Sequence, residues 1–203
     1  LVASGVLGLA EAARLVQKRG EIMSQHQSGS MAAVIGLPSE EVERLCAQVK
    51  SGYVAAANYN SPVQTVVSGD GEGLEGLKPL VAEAKGRMMP LKVSGAFHSA
   101  LMQPAAEAFM PWLQGTDFCL PAIPILSNVT GRPFNGEPED WRTLMRAQIT
   151  SPVRWEQSIR LLVEMGPELF IECGPGKVLA GLNKRICPDV KTFALEEADT
   201  LQE

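Results

Sequence analysis

Histidine is scarce in this chain: there are two in 203 residues, His26 and His98. Cysteine is little commoner, and Cys46, Cys119, Cys173 and Cys187 stand far apart with no Cys-x-x-Cys pair. These scarcities argue against a structural zinc site and a dense disulfide framework, and fit a reducing compartment with thiols in the core or on the surface. Also missing is any apolar run near the roughly 20 residues that a membrane helix needs. The net charge is −5, so a broad electrostatic attraction to nucleic acid or to an anionic membrane is not expected. Internal repeats and low-complexity segments are absent. The opening Leu1-Val2-Ala3-Ser4-Gly5 has no initiator methionine, no charged leader and no cap. It reads as the middle of a helix, and the expectation is a truncated chain.

What remains is the composition of a soluble globular protein, 45% hydrophobic and 20% charged, long enough for one sizeable domain or two small ones. The apolar spacing predicts a first helix from Leu9 to Met23. One column holds Leu9, Ala13, Val16, Gly20 and Met23, and a neighbouring one Leu15, Arg19 and Ile22. After a polar connector with an exposed His26, the patterns run strand (31–37), helix from Pro38-Ser39, strand (54–59), turn, strand (64–68), helix (74–84) and strand (88–93). That β-α-β-β-α-β order is the split pattern of a ferredoxin-like unit, here assigned to residues 29–94. Pro79 should kink or restart its helix. Ser99 caps a helix carrying Leu101, Ala105, Ala108, Phe109 and Trp112. A strand at 123–126, a turn at Thr130-Gly131-Arg132-Pro133, helices from Pro138 and Pro152, a strand at 169–172 and a helix at 178–186 follow. Alternating strands and helices predict an α/β core with a parallel sheet, built from residues 1–28 and 95–203, with the ferredoxin-like unit inserted into it. The tail from Glu196 is acidic and reads as frayed.

Two side chains stand out. His98 lies where a strand hands over to a helix, on a loop held by rigid elements, and imidazole can take and return a proton near neutral pH. Arg19 sits among apolar neighbours with a guanidinium that needs an anion, whether a substrate, a nearby carboxylate or water. A histidine and an arginine so placed suggest acyl transfer involving a carboxylated acyl group.

Four stretches then act together: Lys18-Arg19-Gly20, Asn58-Tyr59-Asn60-Ser61-Pro62-Val63-Gln64, Ser94-Gly95-Ala96-Phe97-His98-Ser99 and Gly174-Pro175-Gly176-Lys177-Val178-Leu179. In order and spacing they resemble the malonyl-coenzyme A:acyl carrier protein transacylase family, related to the acyltransferase domains of fatty-acid and polyketide synthases. The resemblance implies an α/β-hydrolase-like core with a ferredoxin-like insertion and a ping-pong exchange through an acyl-serine. It implies that His98 is the base, that the main-chain carbonyl of Gln148 orients it, and that Arg19 grips the malonyl carboxylate. Asn60 and Gln64 match pocket residues, and Phe97 matches a position where Phe accompanies malonyl and Ser methylmalonyl. Gly174-Pro175-Gly176 reads as a structural turn more readily than as a phosphate cradle.

The partners so implied are malonyl-coenzyme A and an acidic carrier protein bearing phosphopantetheine. Lys85, Arg87, Lys184 and Arg185 are the basic docking candidates. No metal and no resident cofactor are expected, nor nucleic acid or membrane binding. A cytoplasmic monomer is expected, in a plastid or mitochondrion if the source is eukaryotic. The family's serine lies in a Gly-His-Ser-Leu-Gly elbow that the 203 residues do not contain, and Ser4 lacks the elbow glycines. The chain alone is therefore expected to be inactive. The competing readings are a non-catalytic module that binds the carrier or coenzyme A, an acyltransferase domain from a polyketide synthase, and a small-molecule-sensing ferredoxin-like domain.

Overall fold

The computed structural model describes residues 1–134 and 136–195. The segment 30–90 forms a four-stranded sheet. Its strands are β1 (Ser30–Ile35), β2 (Val54–Ser61), β3 (Gln64–Gly69) and β4 (Arg87–Pro90), and its helices are α2 (Ser39–Cys46) and α3 (Gly71–Glu83). The spatial order is β2-β3-β1-β4, and β1 is antiparallel to both its neighbours, as β2 is to β3. This is the ferredoxin-like arrangement. Alternation along the strands gives each face its own core. Ala32, Val34 and Val67 pack with Val42, Leu45, Leu77 and Val81 beneath α2 and α3. Met31, Ala33, Ala57 and Val66 form the helix-free face, where Leu91 and Phe97 join them.

Pro79 does not interrupt α3. It lies on the exposed side, as does Glu75, whose carbonyl loses its helical donor, while Gly73, Leu77 and Val81 face the sheet. Water can satisfy that carbonyl, so the expected break does not form.

Chain entry and exit meet at one point. The Ala96 N–H donates to the Ser28 carbonyl (3.0 Å). Beside it Gly29 has φ +78°, and a Cβ there would lie 2.5 Å from the Gly69 oxygen and 2.8 Å from the Ala96 Cβ. Only glycine fits this crossing.

The second core lies under α1 (Leu9–Gln25), α4 (Gln103–Gln114) and α5 (Pro138–Thr150). Leu15, Ile22 and Met23 meet Ala105, Phe109, Leu113, Trp141 and Ile149 there. Of the two columns expected on α1, the Leu15–Ile22 column faces this core, while Leu9 and Val16 are exposed. On α4 the buried stripe is Ala105, Ala106, Phe109 and Leu113, and Trp112 points outward beneath the Lys18 ammonium. The helix opens with a 3₁₀ turn at Ala100–Met102, capped by Ser99, and three residues per turn rotate its phase away from the α-helical expectation.

The opening residues form a turn instead of a helix, with Gly5 at φ +77° and the Gly5 N–H bonded to the Val2 carbonyl. Ser4 is buried and donates to the Leu1 carbonyl (2.9 Å). His26 is half-buried, and its Nδ1 meets the Ile22 carbonyl (2.9 Å) at the end of α1, so it is not the free loop residue expected.

Beyond α5 the chain forms α6 (Trp155–Glu164), β7 (Leu169–Cys173), α7 (Val178–Ile186) and β8 (Lys191–Leu195). The expected parallel pairing is found between β7 and β8 around α7. The strand before α5 pairs differently. β5 (Ile125–Ser127) turns at Gly131 into β6 (Arg132–Phe134), an antiparallel hairpin that takes Arg132 and Pro133 out of the expected turn. The acidic tail from Glu196 lies outside the described residues.

Candidate active site

His98 is held at both ends of its side chain and backbone. Its Nδ1 lies 3.0 Å from the main-chain oxygen of Gln148, near the end of α5. A carbonyl can only accept, so Nδ1 carries the proton and Nε2 presents its lone pair. The backbone of His98 is left-handed, φ +57°, a conformation that costs a non-glycine residue about 1–2 kcal/mol. The loop around it is anchored throughout. Ser68 Oγ donates to the Phe97 carbonyl (2.5 Å), Ser99 Oγ donates to the Ala96 carbonyl (2.6 Å), and the Ala100 N–H donates to the Tyr53 hydroxyl (3.2 Å).

Burial pushes the His98 pKa below its ordinary value, and the Arg19 charge lowers it further, against hydrogen bonds to the Gln148 and Ser151 backbones. The imidazole is therefore kept neutral at neutral pH, with a lone pair available to take a proton. The same coupling places Arg19 within electrostatic reach of His98. Arg19 projects from the core side of α1 into a cavity of about 300 Å³, lined also by Leu15, Phe109, Met145 and Gln148. Burial lowers its pKa as well. Among the described residues no carboxylate pairs with it, although most neighbouring cations of α1 and α5 have one. Arg14 meets Glu11, Lys18 meets Glu21 and Arg142 meets Glu139. A half-buried guanidinium with no carboxylate partner has donors left over for an anion. Gln148 joins the two groups, its carbonyl on the imidazole and its residue on the cavity wall.

The acyl transferase domain family matches residues 1–193. The chain belongs to that family. A malonyl CoA-acyl carrier protein transacylase of Bacillus subtilis (strain 168) is 40% identical over 209 residues, covering 100% of this chain and 65% of the relative. That of Haemophilus influenzae (strain KW20 / Rd) is 38% identical over 202 residues, covering 97% and 64%. Among solved structures, an acyl carrier protein S-malonyltransferase from Vibrio cholerae superposes with a TM-score of 0.93 at 36% identity, over 100% of this chain and 67% of that one. A malonyl-transacylase in complex with a type II polyketide acyl-carrier protein superposes at 0.94 with 35% identity, over 100% and 67%. The chain thus spans just under two thirds of those two curated relatives. These neighbours carry the same mixed α/β fold, an α/β-hydrolase-like core with a ferredoxin-like subdomain.

The strand register locates the other candidates relative to His98 and Arg19. Gln64, Ile35 and Arg87 are directly opposed across β3, β1 and β4, so they share the helix-free face. Two strand spacings separate Gln64 from Arg87, about 10 Å. Arg185 of α7 donates to Gln64 Oε1 (2.6 Å), so this pair joins the pocket and docking candidates. Ser68 lies on the same face four residues further along β3, about 13 Å from Gln64, at the His98 end. Among the described residues the recorded side-chain bond of Gln64 is to Arg185, and neither Gln64 nor Asn60 is bonded to His98 or Arg19. Lys85, with φ +64°, ends α3, and Lys184 is exposed in the last turn of α7.

The Gly174-Pro175-Gly176 segment turns with φ +137° and +86° at its glycines, and Glu172 accepts from the Leu179 and Ala180 amides (3.0 and 2.8 Å). That carboxylate occupies the donors a phosphate would need. Among the described residues no group of three or more His, Cys, Asp or Glu is placed to hold a metal ion, and no helix is long and apolar enough to cross a membrane. All four cysteines are free, and burial pushes the Cys46 thiol up to about 12.

Sequence reasoning missed Ser68 and Tyr53, both of which bind the His98 loop. The one signal for Ser68 was a hydroxyl following Val66 and Val67 inside a buried strand.

Proposed function

We propose that this chain carries the base and the carboxylate clamp of a malonyl transferase. That enzyme moves a malonyl group from coenzyme A to the phosphopantetheine thiol of an acyl carrier protein through an acyl-serine. The observation that carries the reading is Arg19, without a carboxylate partner among the described residues, on the wall of a cavity that it shares with Gln148, whose carbonyl holds the neutral imidazole of His98. In the first half-reaction His98 Nε2 takes the serine hydroxyl proton as oxygen attacks the thioester, and gives it to the departing coenzyme A sulfur. In the second it takes the proton of the carrier thiol and returns it to the serine oxygen. Arg19 holds the malonyl carboxylate by a two-point fork and fixes the thioester against the nucleophile.

Arg87 and Arg185 stand at the opposite end of this sheet face from His98, and two cations from different parts of the chain suit docking of an acidic carrier there. The division at 29–94 is part of the same proposal, supported by the contact of Ala96 with Ser28. Within residues 1–203 no Gly-His-Ser-Leu-Gly elbow occurs, so these residues alone form no acyl-enzyme in this reading.

The test uses the full product of the gene with malonyl-coenzyme A, followed by intact-mass spectrometry and addition of holo carrier protein. An acyl-protein that discharges to the carrier, and that is lost in His98→Ala, is the expected result. Carrier binding with no acyl-protein identifies a binding module instead. Exchange left unaltered by His98→Ala together with Arg19→Ala overturns the assignment.

A further inference from the structure

Nothing in the base-and-clamp scheme explains why His98 adopts a left-handed backbone, nor why a buried serine of the inserted sheet reaches its loop. The angle φ of His98 is rotation about its N–Cα bond, measured from the peptide plane that contains the Phe97 carbonyl. Ser68, fully buried on β3, donates its hydroxyl to that carbonyl at 2.5 Å. No other bond to the Phe97 carbonyl is recorded among the described residues. The imidazole has a second, separate anchor in the Gln148 carbonyl, from α5 of the other core. One anchor fixes the peptide plane, the other fixes the ring, and the left-handed residue lies between them.

We propose that Ser68 is a positioning residue for His98: its hydroxyl holds the 97–98 peptide in the orientation that brings Nδ1 onto the Gln148 carbonyl. This rests on the transferase reading for its catalytic consequence, but not for its geometry. A left-handed non-glycine residue persists only where its surroundings over-determine it. When the Ser68 donor is lost, the 97–98 peptide is free to rotate, His98 relaxes toward the right-handed region, and the ring leaves Gln148. Tyr53 is not equivalent, because it binds the Ala100 amide on the far side of Ser99. The inserted sheet thus contributes to the candidate site through a backbone contact and not through a side chain that touches substrate.

Histidine scarcity makes the test clean. In the chain labelled with ¹⁵N-histidine and carrying His26→Gln, imidazole nitrogen shifts report His98 alone. The unsubstituted loop should show a protonated Nδ1, a free Nε2 and titration below the ordinary histidine range. Ser68→Ala should give mixed tautomers and return the titration toward about 6.5, whereas Ser68→Thr, which keeps a hydroxyl, should retain the original signature. In the full gene product Ser68→Ala should lower kcat by about 10- to 100-fold with KM for malonyl-coenzyme A unchanged. A serine that merely fills space would lower thermal stability and leave tautomer and titration alone, and that outcome overturns the proposal. Should Ser68→Ala not fold, Ser68→Cys, near in size but a weak donor, gives the same readout. A tautomer change in a protein with no transferase activity would retain Ser68's role while removing the transferase reading.

Discussion

The ring of His98 and the carbonyl of Gln148, fifty positions apart in the chain, are joined by a 3.0 Å contact that decides which imidazole nitrogen can act as a base. With Nδ1 committed as a donor to an oxygen that can only accept, the free lone pair is on Nε2. Burial and the Arg19 charge then act together to keep that lone pair unprotonated.

The first prediction concerns pH. The folded pKa of His98 is lowered from the 6.5 of an unperturbed imidazole, so between the two values the unfolded chain binds more protons than the folded one. The stability tied to neutral His98 is complete above about pH 6.5 and is lost as pH falls through the lowered folded value. Urea unfolding at a series of pH values from 7 downward should show a falling midpoint, and His98→Asn, which does not titrate, should flatten that part of the curve. A variant with the same pH dependence as the parent would place the titration elsewhere. In the full gene product, the acid limb of malonyl transfer should lie below the usual histidine range for the same reason.

Arg19→Lys keeps the charge and loses the planar fork. A hydrogen bond to a charged group contributes about 1.5–3 kcal/mol, so kcat/KM for malonyl-coenzyme A should fall about 10- to 100-fold. Transfer of acetyl, which has no carboxylate to grip, should fall far less. The ratio of the two substrates is the measurement, and an equal loss for both would show that Arg19 supports the fold instead of the carboxylate.

These residues also show where sequence reasoning reaches. The inserted β-α-β-β-α-β unit is legible because each strand alternates and each helix repeats over its own few residues. Its antiparallel order then follows from few remaining options. Contacts made by phase or by distance are not legible in that way. The outward turn of Trp112 depends on a 3₁₀ start, which the spacing of Leu101 and Ala105 does not announce. Strand β8 was missed because Lys191-Thr192-Phe193 alternates weakly, with Phe193 more exposed than buried. His98 and Arg19 could be singled out by chemistry, and family resemblance tied Gln148 to His98, but that Gln148 also shares a cavity wall with Arg19 came only from the structure. Ser68 was marked only as a hydroxyl in a buried strand, and its partner, a backbone carbonyl twenty-nine residues away, leaves no trace in the local pattern.

Phe97 packs against both cores, its ring lying between the α1–α4–α5 cluster and the helix-free face of the sheet. Its neighbour His98 puts it beside the reacting acyl group in the proposed complex. Phe97→Ser should raise use of methylmalonyl relative to malonyl by about 10-fold or somewhat more, the size of a one-methyl steric effect. The same change removes an aromatic ring from two apolar clusters, so a lower melting temperature should accompany it. Competition between the two thioesters, followed by mass spectrometry of the acyl-protein, separates the effects. An unchanged product ratio would move the methyl-sensing surface away from Phe97.

The basic residues give the last prediction. Arg87 shares the helix-free face with Gln64, and Arg185 is bonded to that glutamine, so two cations from different parts of the chain border one end of the face. If an acidic carrier docks there, charge reversal at Arg87 should raise KM for the carrier about tenfold, with kcat little changed, and should weaken the dependence of that KM on salt. Transfer to a small thiol such as pantetheine, which has no acidic surface, should be unaffected. Arg185→Glu should do the same and also free Gln64, so Arg185→Gln, which removes the charge but can still bond an amide, serves as its partner. Lys85 is exposed in the loop between α3 and β4, two residues before Arg87, and Lys85→Glu should produce a smaller change of the same sign. Loss of transfer to carrier and to pantetheine alike would mean that these residues support the acyl site itself, and that docking takes place on another surface.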